Sequence, residues 1–171
     1  MTRVFYILLG AIISWIVQQY RLACSEDVAV INEHVADIRE FRDAAEHYWL
    51  HAPGAREEDA VLAAKVRARL AAVSLNYVIV SSICGRNGAE YRQRFHALYE
   101  AATAGNFESF PRKVDPLRAI AVHDAAARAV VLLRTSRREI NSFSRLTKRA
   151  LARLIPWCHS AWNQIWSLMR D

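Results

Sequence analysis

Arg134, Arg138, Arg145, Lys148 and Arg149 are the residues of this chain best placed to do chemistry. On a helix, steps of four, seven and four keep the four arginines near one face. Asn141 falls in the same stripe, Lys148 flanks it, and Arg137 and Arg153 add charge nearby. Guanidinium forks match phosphate oxygens two at a time. A row of them over about 22 Å of helix can follow several phosphates of one strand. Single-strand binders usually add aromatic platforms for the bases, and Phe143 is the one aromatic close by in sequence. The same stripe also suits anionic lipid head groups, or simply a solvated charged face.

Asp43, His47 and His51 stand four apart on one helix. Two histidines at that spacing can share a metal, with the carboxylate as third ligand or as partner of one imidazole. Histidines near a wet helix end commonly have no metal, and none is expected here. His123-Asp124 and Cys158-His159 are adjacent pairs whose side chains diverge on a helix, so neither reads as a dyad. Phosphate loops, G-x-S-x-G and H-E-x-x-H motifs and dinucleotide turns are missing, and five glycines leave little room for nucleotide-cradling loops. The reading is therefore not an enzyme, and no cofactor is expected.

Charge is unevenly placed along the 171 residues, whose net charge is +6. Residues 1–110 hold eleven basic and thirteen acidic side chains; residues 111–171 hold twelve basic and four acidic. A cationic block thus follows a near-neutral body, which suits lipid head groups or nucleic-acid phosphates. Cys24, Cys84 and Cys158 form no C-x-x-C pair and no zinc spacing. They fit a reducing compartment, with thiols used as small apolar residues.

The element in front of all this is an uncharged run from Val4 to Tyr20, bracketed by Arg3 and Arg21. As a helix it extends roughly 25 Å, the short end of what crosses a bilayer. Tyr6, Trp15 and Tyr20 lie towards its ends, where aromatic rings favour the membrane interface. Gly10, Ser14 and Gln18 share one face. A polar stripe has no use for a lone span in lipid, but packed copies can use it for close contact or to line a wet path. A cleaved signal peptide is a rival reading, with Ala23 and Ser25 small and two apart. Against it, Gln18, Gln19, Tyr20 and Arg21 make a poor approach to a cleavage site. A core helix of a soluble bundle is the other rival. The preferred division is a transmembrane helix over 1–24 and a helical domain over 25–171.

The rest of the chain predicts helix throughout. Val28, Ile31, Val35, Ile38, Phe41, Ala45 and Trp49 recur at three- and four-residue steps. That helix can run on unbroken from the first one until Pro53-Gly54 stops it. Glu57, Glu58 and Asp59 open a second helix at its dipole-favoured end, running to Cys84. Its charge-free part, Leu70–Gly85, reads as a buried helix, with a second membrane pass as the alternative. Gly85-Arg86-Asn87-Gly88 is a turn. A short helix with Tyr91, Phe95, Leu98 and Ala102 inward closes at Gly105-Asn106. Asp115-Pro116 starts a long basic helix by cap and first-turn proline, expected to reach about Ile155. Trp157, Trp162 and Trp166 mark a last segment, either interfacial or packed on the core. The fold class is all-α: an N-terminal membrane helix, then a bundle of four or five helices.

This layout resembles the small membrane channel effectors of bacterial anti-phage defence, of Hailong type. The resemblance is one of arrangement: the polar-striped span at Gly10, Ser14 and Gln18, then the basic stripe from Arg134 to Arg149. It implies a homo-oligomeric pore in a bacterial inner membrane, single-pass, with the bulk of the chain cytoplasmic. Its gate would be a short single-stranded DNA or another anionic nucleotide ligand, and its other partners membrane lipid and further copies of itself. The alternative is a membrane-anchored helical adaptor that recruits a protein partner.

Overall fold

The computed structural model describes residues 2–140, with side chains from Ile7 onward except at position 8. Four α-helices follow one another: α1 (Thr2–Leu50), α2 (Arg56–Ile83), α3 (Gly88–Thr103) and α4 (Pro116–Ile140), and among the described residues there is no strand. The all-α expectation holds. Arg145, Lys148, Arg149 and the three C-terminal tryptophans lie outside the described residues. The described chain falls into two compact units, residues 25–137 and the stretch to Cys24 together with Arg138–Ile140.

α1 is one uninterrupted helix that runs straight through Cys24 and Ser25. Nothing between Cys24 and Val28 breaks a helix, and the period-3.6 pattern that starts at Val28 simply continues the turn before it. The helix stops at Leu50, just ahead of Pro53. α2 opens with Glu57, Glu58 and Asp59 in its first turn, and the Ala55 N–H donates to the Glu58 carboxylate at 3.2 Å. A 3-10 turn, Gly85–Asn87, with Gly85 at φ 60°, leads into α3. At the start of α4 the Arg118 N–H donates to Asp115 Oδ1 at 2.9 Å, the cap that the Asp-Pro pair predicts.

Within the 25–137 unit the helices form a four-membered bundle. Ile31, Ile38, Phe41 and Trp49 from α1 are buried with Val66 and Val73 of α2, Leu98 of α3 and Val122 of α4. α4 runs antiparallel to α1: the Asp115 N–H donates to the Trp49 carbonyl at 3.0 Å, and Arg137 donates to Asn32 at 2.8 Å. α2 is also antiparallel to α1, with Arg69 and Glu40 paired at 2.5 Å. Against α3 it packs Tyr77 on Phe95, the rings tilted with centroids 4.8 Å apart.

Two expectations need correction. Leu70–Gly85 is buried on one face only: Val73 and Val80 are inaccessible, whereas Leu75 is 81% and Val78 71% exposed. Secondly, the candidate span among the described residues is internal rather than N-terminal. Among the described residues the helix long and apolar enough to cross a bilayer is α2, with a mean hydropathy of 1.3. Length and composition alone give that result, and core helices of soluble bundles share them. Both faces of α2 are apolar in its second half, which raises its hydropathy without fixing its surroundings.

Candidate functional site

The described part of the basic stripe sits on the last described turns of α4. Arg134 and Arg138 are exposed and one turn apart, so they share a face, while Ser136 between them is buried. Arg137 points another way and is held by Asn32. Ser136 accepts from the Asn87 side chain at 3.1 Å, which fixes this end of α4 within the bundle. In the smaller unit, the Ile140 carbonyl accepts from the Tyr20 hydroxyl at 3.4 Å and from the Cys24 thiol at 3.9 Å. Arg138 lies two residues before this contact, on the same described turn of α4. The stripe's remaining members, Arg145, Lys148 and Arg149, lie outside the described residues.

Gly10, Ser14 and Gln18 are all exposed on α1. A Cβ built on Gly10 meets no atom within 4 Å. Ile12, Ile13 and Trp15 beside them are more than half exposed, and Val17 is 44% exposed. The helix thus offers apolar and small polar groups around its circumference.

The Asp43, His47 and His51 set does not converge. Asp43 is bound by Arg42 through Nε at 2.9 Å, and the two imidazoles stack on each other at 5.0 Å. His123 pairs with Glu46 at 3.0 Å rather than with its neighbour Asp124. No group of metal-ligating side chains occurs among the described residues. A groove of about 550 Å³ runs between α3 and α4, floored by Ala97, Ala101, Ala121 and Ala125, with Arg94 and Asp124 on its rim.

Sequence reasoning missed two buried polar centres. Arg112, in the loop before α4, is 2% exposed. It donates to Asp59 Oδ1 at 2.9 Å, to the Ala52 carbonyl at 2.9 Å and to the Tyr48 carbonyl, with its guanidinium 5.0 Å from the Tyr48 ring. It thereby fastens the loop to the end of α1 and the start of α2. Asp59 reads in sequence as one of three first-turn acids, and nothing there singles it out. The second centre is His34, wholly buried, with Nε2 in a short hydrogen bond to the Tyr91 hydroxyl. Burial lowers the His34 pKa to about 4 and pushes the Tyr91 phenol up. A protonated phenol donates to neutral Nε2, so the imidazole proton sits on Nδ1, which has no partner among the described residues. His34 lies three residues after Ile31 and four before Ile38, both wholly buried, and its burial follows from its place on the apolar stripe.

No protein-family model, no curated protein and no solved structure matches this chain.

Proposed function

We propose that this protein is a membrane-anchored, self-associating effector whose pore is gated by an anionic ligand. The observation that carries the reading is the junction of α1 and α4. The uncharged stretch of α1 ends at Arg21, and the last described turn of α4, with Arg138, is hydrogen-bonded to α1 at Tyr20 and Cys24. A cationic turn joined to the end of the uncharged stretch is where a ligand can act on the span directly. The stripe from Arg134 to Arg149 holds phosphates; Gly10, Ser14 and Gln18 pack the spans or line the path. A short single-stranded DNA is the ligand that the resemblance to defence channel effectors favours, and it opens or locks the pore. Exposed Arg134 and Arg138 also suit anionic head groups, so lipid and oligonucleotide compete for one chemistry.

The alternative is an anchored adaptor, favoured by the alanine-floored groove of about 550 Å³ between α3 and α4. One preparation separates the readings. The full chain is recovered from the membrane fraction, its intact mass is measured, and it is reconstituted into dye-loaded vesicles. The pore reading expects an uncleaved chain, oligomers in mild detergent, and dye release that changes when Gly10→Leu blocks close helix approach. Tight vesicles and a co-purifying protein indicate the adaptor. A soluble chain, or one starting near Glu26, overturns both.

A further inference from the structure

α2 carries two seams. The inner one, Ala63, Val66, Val73 and Val80 with Leu70 and Tyr77, packs into the bundle. On the opposite side Val61, Ala64, Ala68, Ala71, Leu75, Val78 and Ser82 alternate steps of three and four over about six turns, and every one of them is exposed. That spacing is the heptad repeat of a helix seam. The bundle does not need it, because its core is complete on the other face. No charge interrupts the seam; Lys65 and Arg67 stand only at its flanks. Bulk is divided along it, with alanines in the first half and Leu75, Val78 and the adjacent Ile79 in the second.

We infer that this outer face of α2 binds the same face of a second copy of the chain, antiparallel and about a two-fold axis. Such a pairing sets Leu75 and Val78 of each copy over Ala71 and Ala68 of the other, and Ser82 over Ala64. Large side chains then meet small ones in the Leu75 and Val78 layers, and the one surface is complementary to itself, as a two-fold interface requires. A parallel pairing instead sets Leu75 on Leu75 and Ala68 on Ala68, with crowding at one end and a gap at the other. Charge agrees: the antiparallel arrangement brings Glu57 and Glu58 in the first turn of one α2 to the end of the other, where Arg86 is exposed. The opposed helix dipoles add to the same preference. A single seam about 33 Å long covers roughly 400 Å² per partner, half of a standard interface. The contact is therefore weak between dilute copies and forms where copies are already concentrated. It is independent of whether α1 crosses a membrane.

The test is site-directed cross-linking of the full-length chain in mild detergent, with Cys158→Ser as background, since Cys24 and Cys84 are buried. Val61→Cys and Ser82→Cys proteins, carrying different tags, are treated with a short bis-maleimide separately and mixed. The antiparallel pairing expects a cross-linked product carrying both tags in the mixture and little product from either protein alone, because like positions then lie some 30 Å apart. Leu75→Glu, at a side chain that is 81% exposed, should leave helicity unchanged and reduce the mixed product at least tenfold. Self-cross-linking of each single variant overturns the antiparallel assignment. Absence of any product overturns the inference, even if the chain remains oligomeric through α1. Protection of Leu75→Cys from a polar maleimide only when phosphatidylcholine vesicles are present assigns the face to lipid instead, and overturns it too.

Discussion

Arg112 and Asp59 form an ion pair with almost no access to solvent, the arginine side chain at 0% and the aspartate at 9%. Removing one partner of such a pair strands a buried charge, which typically costs 3–5 kcal/mol. Arg112→Ala should therefore lose on the order of 4 kcal/mol in denaturant unfolding, well beyond the fraction of a kcal/mol expected at an exposed arginine such as Arg134. Equal losses at both positions would refute the clamp. His34 supplies a pH dependence. Its pKa is about 4 in the fold and 6.5 as a free side chain. The fold favours the neutral imidazole, so this contribution is complete above pH 6.5 and is lost as pH falls through 4. At about 1.4 kcal/mol per unit the loss reaches roughly 3 kcal/mol. Unfolding of wild type and His34→Gln at pH near 7.5 and near 4.5 checks it. The wild type should lose about 2–3 kcal/mol more than the variant over that interval.

α2 and α3 meet at a glycine. Gly88 lies in the first turn of α3, and a Cβ there would run into the backbone carbonyl of Ser81. Ordinary helix propensity favours alanine over glycine by up to about 1 kcal/mol, so the two effects oppose each other. Backbone does not yield as a side-chain tip does, and the clash should win. Gly88→Ala is expected to destabilise the bundle by about 1–3 kcal/mol, read as a lower melting midpoint by circular dichroism. A raised midpoint would mean that α3 shifts freely against α2. Close approach here also explains why the Ser81 hydroxyl reaches the Gly88 carbonyl at 3.3 Å and accepts from Arg92 at 2.8 Å.

For the molecule as a whole, the consequence of the proposed function is its response to salt. Each phosphate neutralised by the stripe releases counterions, so affinity for a short single strand should fall steeply as salt rises. Arg138→Glu together with Arg145→Glu replaces attraction by repulsion and should nearly abolish binding while helicity is retained. Fluorescence anisotropy with a labelled short strand at two salt concentrations measures both. Channel activity should change with it, constitutively open if the ligand locks the pore and silent if it opens it. Equal affinity of wild type and variant would remove the stripe from the ligand site and leave the lipid contact.

Local rules in the chain determine most of the elements. Pro53-Gly54, Gly85-Arg86-Asn87-Gly88, Gly105-Asn106 and Asp115-Pro116 act on backbone angles within a few residues, so the ends of α1, α2 and α3 and the start of α4 follow without tertiary information. The same holds for the apolar stripe from Ile31 to Trp49, whose period states which side is buried. Partners across the bundle are different. Nothing near Asp59 marks it apart from Glu57 and Glu58, and nothing near Arg112 shows that a loop arginine lies buried. Their pairing links positions 53 residues apart and exists only once α1, α2 and the loop have packed. Leu70–Gly85 shows the same division most plainly. Its freedom from charge is a property of composition, whereas the exposure of Leu75 and Val78 depends on which face the other helices cover. A helix with two apolar faces cannot choose between them alone, and that choice belongs to the tertiary structure.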